Sequence, residues 1–311
     1  MKTNILFLYG GASFEHEVSC LSIKNIIKEI NKEKYNYQII YISKKNKWFL
    51  VDDDYKEKKL IDNIIDFIKQ FDVVFNIIHG SNGEDGKIQG LFEMYNIKYV
   101  GCDSISSMLC MNKDLTKALL NYHHIPVVPE FDLNNIIYPV MVKATASGSS
   151  IGISKVNNAE ELEKTIKEAK KYSKDYLIEK YIKARELECA IIEKNGEIYA
   201  STLGEVKSCN EYYDYDSKYN LPSQTIIPAI VPEEISNQIR LFAKEAFKVL
   251  KCQGMARVDY FYDENNQQIY LNELNTLPGF TDISMYPKLL NYDGYTTREI
   301  IDILIDNAIN K

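Results

Sequence analysis

Asn4-Ile5-Leu6-Phe7-Leu8-Tyr9-Gly10-Gly11 is apolar through its middle and ends in two glycines. It reads as a buried strand entering a tight turn, because a half-exposed strand would alternate. A helix pattern follows from about Val18 to Ile30. Tyr37 to Ile42 and Val73 to Ile78 repeat the strand pattern, and Gly86 to Tyr95 reads as a helix. Strands alternating with helices imply a parallel sheet covered by helices, a Rossmann-like α/β unit. Its expected extent is residues 1–100.

Downstream, Lys113 to Tyr122 looks helical and Tyr138 to Lys143 looks like a strand. The small-residue stretch Thr145 to Gly152 comes next, then a strand at Ile153 to Val156. Asn158 with Glu161 resembles a capping box opening a helix through Lys171. Together these predict a compact α+β module over 101–180. In the remainder, 181–311, Asn195-Gly196 between two strand-like runs signals a hairpin. Pro232 to Lys251 fits a helix with proline in its first turn. Met255 to Tyr262 and Gln268 to Asn275 fit two strands joined by a short turn. Lys207 to Ser223 is polar, rich in tyrosine and long for a compact domain, so it reads as a surface loop of the kind that is either functional or disordered.

Composition narrows the function. The net charge of −7 argues against a nucleic-acid partner, which would require a basic stripe. Lysines between Glu160 and Lys171 alternate with acids, as on a solvated helix face. No apolar run approaches the roughly 20 residues of a membrane span. The first residues lack a signal-peptide pattern, so a cytoplasmic location and no membrane partner are expected. Six cysteines without a C-x-x-C pair point to neither zinc nor a disulfide framework. Four histidines and no H-E-x-x-H leave little material for His-based catalysis.

The densest chemistry lies in Arg257-x-Asp259 and Glu273-x-Asn275. On strands, residues two apart share a face. Pairing the two strands would gather two carboxylates and an amide oxygen beside a guanidinium. An oxygen-only set suits Mg²⁺ with phosphate as co-ligand. The same pattern also fits a surface cross-strand salt bridge between Arg257 and Glu273. Thr145 to Gly152 lacks the lysine of a P-loop; its small residues would let backbone N–H groups approach phosphate, with Lys143 just before it, but taken alone the segment fits an ordinary flexible turn better. Gly10 to Ser19 follows the first strand, where open α/β sheets bind ligands. Its acids Glu15 and Glu17 suit a substrate ammonium, and equally a helix N-terminus. His79-Gly80-x-x-Gly83-Glu84-Asp85-Gly86 is either a constrained helix entry or a second piece of the same pocket.

In their order these segments resemble the D-alanine–D-alanine ligases of the ATP-grasp superfamily. The matching pieces are Gly10 to Ser19, His79 to Gly90, Met111-Asn112-Lys113, Gly148 to Gly152, Tyr213 to Tyr219, Arg257-Val258-Asp259 and Asn272 to Thr281. The resemblance implies three domains with ATP between the second and third. The first D-alanine's carboxylate would take the γ-phosphoryl group, and the second D-alanine's amine would attack the acylphosphate. Transfer onto an anion demands positive charge, metal and exclusion of water.

Roles follow from the resemblance residue by residue. Glu15 would hold the first substrate's ammonium, with His79 in the same pocket. Asp259, Glu273 and Asn275 would hold two Mg²⁺ (or Mn²⁺) ions. Arg257 would steady the acylphosphate and the developing oxyanion. Lys113, Lys143, Ser150 and Asn272 would line the phosphates, and Glu179 and Glu186 would contact adenine and ribose. Ser149 and Tyr219 would form a hydrogen-bonded link with Glu15. Lys218 would reach the transferring phosphate or the second substrate from the lid loop 207–223. Gly279 and Ser284 would receive the second substrate's carboxylate. A homodimer is implied as well. The chain departs from the family's usual pattern at Ala144, Ser147 and Ala184-Arg185, and in a short segment between Pro129 and Tyr138. The stretch Lys218 to Leu221 and Asn112 look similar to the branch that makes D-Ala–D-Ser, so D-serine is the alternative second substrate.

Overall fold

The structure is a computed structural model and describes residues 2–207 and 224–311. The first sheet runs in the order β4-β3-β2-β1-β5, built from β1 (Thr3–Gly10), β2 (Tyr35–Ile42), β3 (Trp48–Val51), β4 (Glu57–Leu60) and β5 (Val73–Asn76). β1 pairs in parallel with β2 and β5, whereas β2, β3 and β4 pair antiparallel. The sheet is therefore mixed, where the alternation predicts a parallel one. The cause is connection length: the turns at 43–47 and 52–56 are too short for a crossover. Left-handed Asn46 and Tyr55 close them. Helix α1 (His16–Glu29) begins two residues earlier than its apolar period suggests, and α2 is Ile64–Ile68. Helix α3 (Lys87–Met94) starts on Gly86, whose φ of +85° suits glycine.

Helix α4 (Ser104–Met111) stops at Asn112, which also caps α5 (Lys113–Tyr122) by accepting from Asp114 N and Leu115 N. Asparagine serves there as well as aspartate would. Lys113 and Lys117 lie one turn apart on the buried face of α5. A three-stranded antiparallel sheet, β7-β6-β8, follows from β6 (Val140–Ala144), β7 (Ile153–Val156) and β8 (Tyr176–Lys180), with α6 (Ala159–Ala169) against it. Asn158 accepts from Glu161 N as expected, but the Glu161 carboxylate reaches back to Asn157 N.

The third sheet is antiparallel, in the order β11-β10-β9-β12-β13. Its strands are β9 (Arg185–Lys194), β10 (Glu197–Lys207), β11 (Gln224–Ile226), β12 (Met255–Asp263) and β13 (Gln268–Asn275). Asn195 and Gly196, both at positive φ, turn the β9–β10 hairpin. Helix α7 (Glu233–Val249) covers one face. The last helices, α8 (Met285–Tyr292) and α9 (Thr297–Ile309), pack back toward the start of the chain. Ile300, Leu304 and Tyr286 share one buried core with Ile5, Phe7 and Phe75, and Lys34 pairs with Asp302 at 2.6 Å. Each such buried apolar side chain contributes on the order of 1.5–3 kcal/mol. This shared core anchors the third sheet against the first, with a cavity between them.

Candidate active site

The cavity measures about 540 Å³ and is lined by Glu15, His79, Ser149, Arg257, Glu273, Asn275, Gly279 and Ser284, among others. A smaller one of about 110 Å³ is lined by Lys143, Ser150, Glu179, Glu186, Asp259 and Asn272. Lys113, Glu188 and Glu273 line both and so form the wall between them. The structure thus gathers every described residue that the resemblance gives a role into two adjoining spaces, but Glu17 lines neither and instead pairs with Lys44 on the surface at 3.1 Å. Lys218, Tyr219 and most of the lid loop lie outside the described residues.

One corner of the large cavity is built around Glu15. It ends the β1–α1 turn as the helix N-cap, yet its side chain makes no cap bond. Its carboxylate instead accepts the Ser149 hydroxyl. Ser149 and Ser150 sit at φ 50° and 56°, in the left-handed region that non-glycine residues rarely adopt. That turn swings the Ser149 hydroxyl toward Glu15. Glycine allows the approach from the other sides. A Cβ on Gly148 would sit 3.2 Å from Glu15 Oε2, and one on Gly80 (φ +72°) would collide with it.

His79 lies behind this corner and is almost wholly buried. Its Nδ1 donates to the Leu277 carbonyl at 3.0 Å and lies 3.3 Å from Glu84 Oε1, and its Nε2 meets Ser22 Oγ at 3.0 Å. Ser22 Oγ also accepts from Phe280 N. Burial pulls the imidazole pKa down, but the hydrogen bond and charge of Glu84 and the charge of Glu15 outweigh it, so the pKa is raised. Burial likewise pushes the Glu84 carboxyl up. His79 ties the first sheet to the loop after β13. Farther along that loop, Ser284 Oγ accepts from Thr281 N at 3.0 Å, and a Cβ on Gly279 would lie 2.7 Å from that oxygen.

The opposite wall is the face of β12 and β13. Arg257 forks onto Asp259 with two bonds of 2.7 Å, and its Nε lies 3.0 Å from Glu188. The register sets Asp259 opposite Glu273 and Arg257 opposite Asn275. Arg257 therefore does not form the surface salt bridge with Glu273 that the sequence left open. Its partners are the largely buried Asp259 and Glu188. Burial opposes its charge, but Asp259 and Glu188 more than compensate and hold its pKa well above the ordinary value. A bulge after Asp259 gives β13 one extra residue, which lets both Asn272 and Glu273 face the site. Asn272 Oδ1 accepts from Lys143 at 2.9 Å.

Asp259, Glu273 and Asn275 form an oxygen-donor set suited to a hard cation. Asn275 Nδ2 donates to Asp259 Oδ2 at 3.0 Å in this state. Among the described residues no group of three or more His, Cys, Asp or Glu side chains could hold an ion by itself. Such a sparse set fits Mg²⁺, which uses one or two carboxylates and takes phosphate and water for the rest.

In the small cavity Glu179 is buried between two lysines, with Lys143 Nζ and Lys117 Nζ each 2.6 Å from one of its oxygens. Burial raises its pKa, but Lys143 and Lys117 overcome this and hold it below the usual glutamate range. Lys117 and Glu188 were not singled out from the sequence. Both carried a signal: Lys117 stands four residues after Lys113 on one helix, and Glu188 two after Glu186 on one strand.

Basic side chains line one cavity, carboxylates line its neighbour and three sheets frame both, an arrangement shared with ligases of the ATP-grasp fold among solved structures. The family model for the D-Ala D-Ala ligase N-terminus matches residues 4–65 and 61–102, and that for the C-terminus matches 123–306. The chain is 40% identical to a D-alanine–D-alanine ligase of Caldicellulosiruptor bescii, covering 100% of this chain and 96% of the relative. It is 38% identical to one of Clostridium acetobutylicum, covering 100% and 99%. Among solved structures, the VanG D-Ala:D-Ser ligase from Enterococcus faecalis superposes with a TM-score of 0.89 at 31% identity, covering 99% of this chain and 100% of that one. The D-alanine–D-alanine ligase from Coxiella burnetii gives 0.85 at 33%, covering 99% and 94%. The chain belongs to the D-alanine–D-alanine ligase family and is an ATP-using ligase that forms a carbon–nitrogen bond. No helix among the described residues is long and apolar enough to cross a membrane.

Proposed function

We propose that this chain joins two D-alanine molecules at the expense of ATP, in the cytoplasm, for peptidoglycan synthesis. The observation that carries this reading is that Glu15, Arg257 and Glu273 line one cavity. A carboxylate held by Ser149 suits the first substrate's ammonium. The guanidinium opposite suits the carboxylate that is phosphorylated and the oxyanion that develops at its carbonyl. The substrate carboxylate attacks the γ-phosphorus, and ADP leaves. The amine of the second D-alanine then attacks the acylphosphate carbon, the amine loses a proton, and phosphate departs.

ATP is assigned to the small cavity. Lys113, Lys143, Ser150 and Asn272 would meet its phosphates and Glu186 its adenine and ribose, while Glu179, expected there too, has both oxygens taken by lysines and would stand behind Lys143. Glu273, in the wall between the cavities, lies where the γ-phosphoryl group would cross. Asp259, Glu273 and Asn275 would hold two Mg²⁺ ions, whose charge offsets repulsion between phosphate and carboxylate. Gly279 and Ser284 would take the second substrate's carboxylate. The division at about residues 100 and 180 is supported by the three sheets, although the last helices return to the first one. The homodimer rests on the resemblance alone and is checked by light scattering.

The test is phosphate release and product analysis with ATP and D-alanine, then with D-alanine and D-serine at matched concentrations. D-Ala–D-Ala as the faster product supports the reading. Faster mixed dipeptide would transfer the chain to the activity named for VanG, to which its fold is similar. No dipeptide from either mixture would refute both.

A further inference from the structure

Lys117 belongs to neither cavity lining, yet it is only 3% exposed. A lysine is buried this deeply only when its charge is met. Its ammonium lies 2.6 Å from Glu179 Oε1 and 2.7 Å from Glu130 Oε1. The other oxygen of Glu179 lies 2.6 Å from Lys143, which also donates to Asn272 and faces the small cavity. The order from the helix to the cavity is therefore Lys117, Glu179, Lys143.

This order has an electrostatic consequence. One carboxylate beside one lysine would be a neutral pair, with Lys143 spent on Glu179. A second lysine on the far oxygen draws on the same carboxylate and leaves a positive charge in excess on the cavity side. Glu130 does not cancel it fully, because its side chain is 37% exposed and water screens it. The excess is useful only when an anion enters. The two-sided grip also fixes the Glu179 carboxylate, and with it the position of Lys143.

We propose that Lys117 is a positioning residue: through Glu179 it keeps Lys143 placed and electrostatically available for the nucleotide's phosphates. This rests on the assignment of ATP to the small cavity. Calorimetric titration of the whole protein with ADP plus Mg²⁺, and separately with adenosine, tests it. Lys117→Met should weaken ADP about tenfold, the size of one charge-assisted hydrogen bond, and leave adenosine within about twofold. Lys117→Arg keeps the charge and should recover ADP binding. Lys117→Gln keeps a donor to Glu179 without the charge and serves if the methionine variant does not fold. It should show the same selective loss. Equal weakening of ADP and adenosine would mean that Lys117 merely supports the fold, and unchanged ADP binding in a folded variant would also overturn the proposal. Wild-type protein that binds ADP no better than adenosine would refute the nucleotide assignment itself.

Discussion

The two walls of the large cavity are made in opposite ways. The β12–β13 wall is charged, carries its groups two apart on neighbouring strands and pairs them with one another. The Glu15 corner has one carboxylate, a serine hydroxyl and glycines, brought from residues 15, 80 and 148–149. The first wall supplies charge, and the second supplies fit. The difference teaches where each is vulnerable: the charged wall to loss of a functional group, the glycine corner to gain of a methyl.

Glu273→Gln breaks the charged wall most severely. Outer-shell substitutions at metal sites cost 10–100-fold, so loss of a direct ligand should lower Mg²⁺-dependent phosphate release by at least about 100-fold. Circular dichroism should show a folded protein. Retained turnover would remove Glu273 from the metal site. Arg257→Met removes the guanidinium that Asp259 and Glu188 share, and breaking a buried pair from one side costs roughly 3–5 kcal/mol. Urea melts should show that loss, and Mg²⁺ should restore part of it by taking over Asp259. Identical melts with and without Mg²⁺ would contradict the shared use of Asp259.

Gly80→Ala tests the fitted corner. Its positive φ costs an alanine about 1–2 kcal/mol, and the added methyl would displace Glu15. The KM for D-alanine should rise about tenfold while nucleotide binding holds. An unchanged KM would separate Glu15 from the first substrate. The smallest effect concerns pH. The pKa of His79 is raised in the fold, so the stability from protonating it is full below its ordinary value of 6.5 and fades as pH rises through the raised value. Urea melts across that range should show the decline, and His79→Gln should flatten it. The same slope in both proteins would assign it to other groups.

Much of the site was legible because strand alternation is local. Arg257, Asp259, Glu273 and Asn275 follow from a period of two, and a hairpin-like pairing brings them together. The bulge that turns Asn272 to the same side was not legible, since it depends on how β12 packs between β9 and β13. In the first sheet, the strands at β1, β2 and β5 were readable from apolar runs. The short polar β4 was not, because it has no buried residue to mark it.

The sequence by itself determined the alternation of elements, the clustering of Arg257, Asp259, Glu273 and Asn275 and, through resemblance, the ligase family. Only the tertiary structure decided what each charge faces. It turned Arg257 from a candidate partner of Glu273 into the partner of Asp259 and Glu188, gave the expected Ser149–Glu15 link its left-handed turn and placed Lys117 behind Glu179. The physical reason is range. Periodicity and turn chemistry act over a few residues, whereas the contacts from Lys117 to Glu179 and from Glu15 to Ser149 join groups 62 and 134 positions apart. Such contacts exist only after three sheets and a shared core have closed around them.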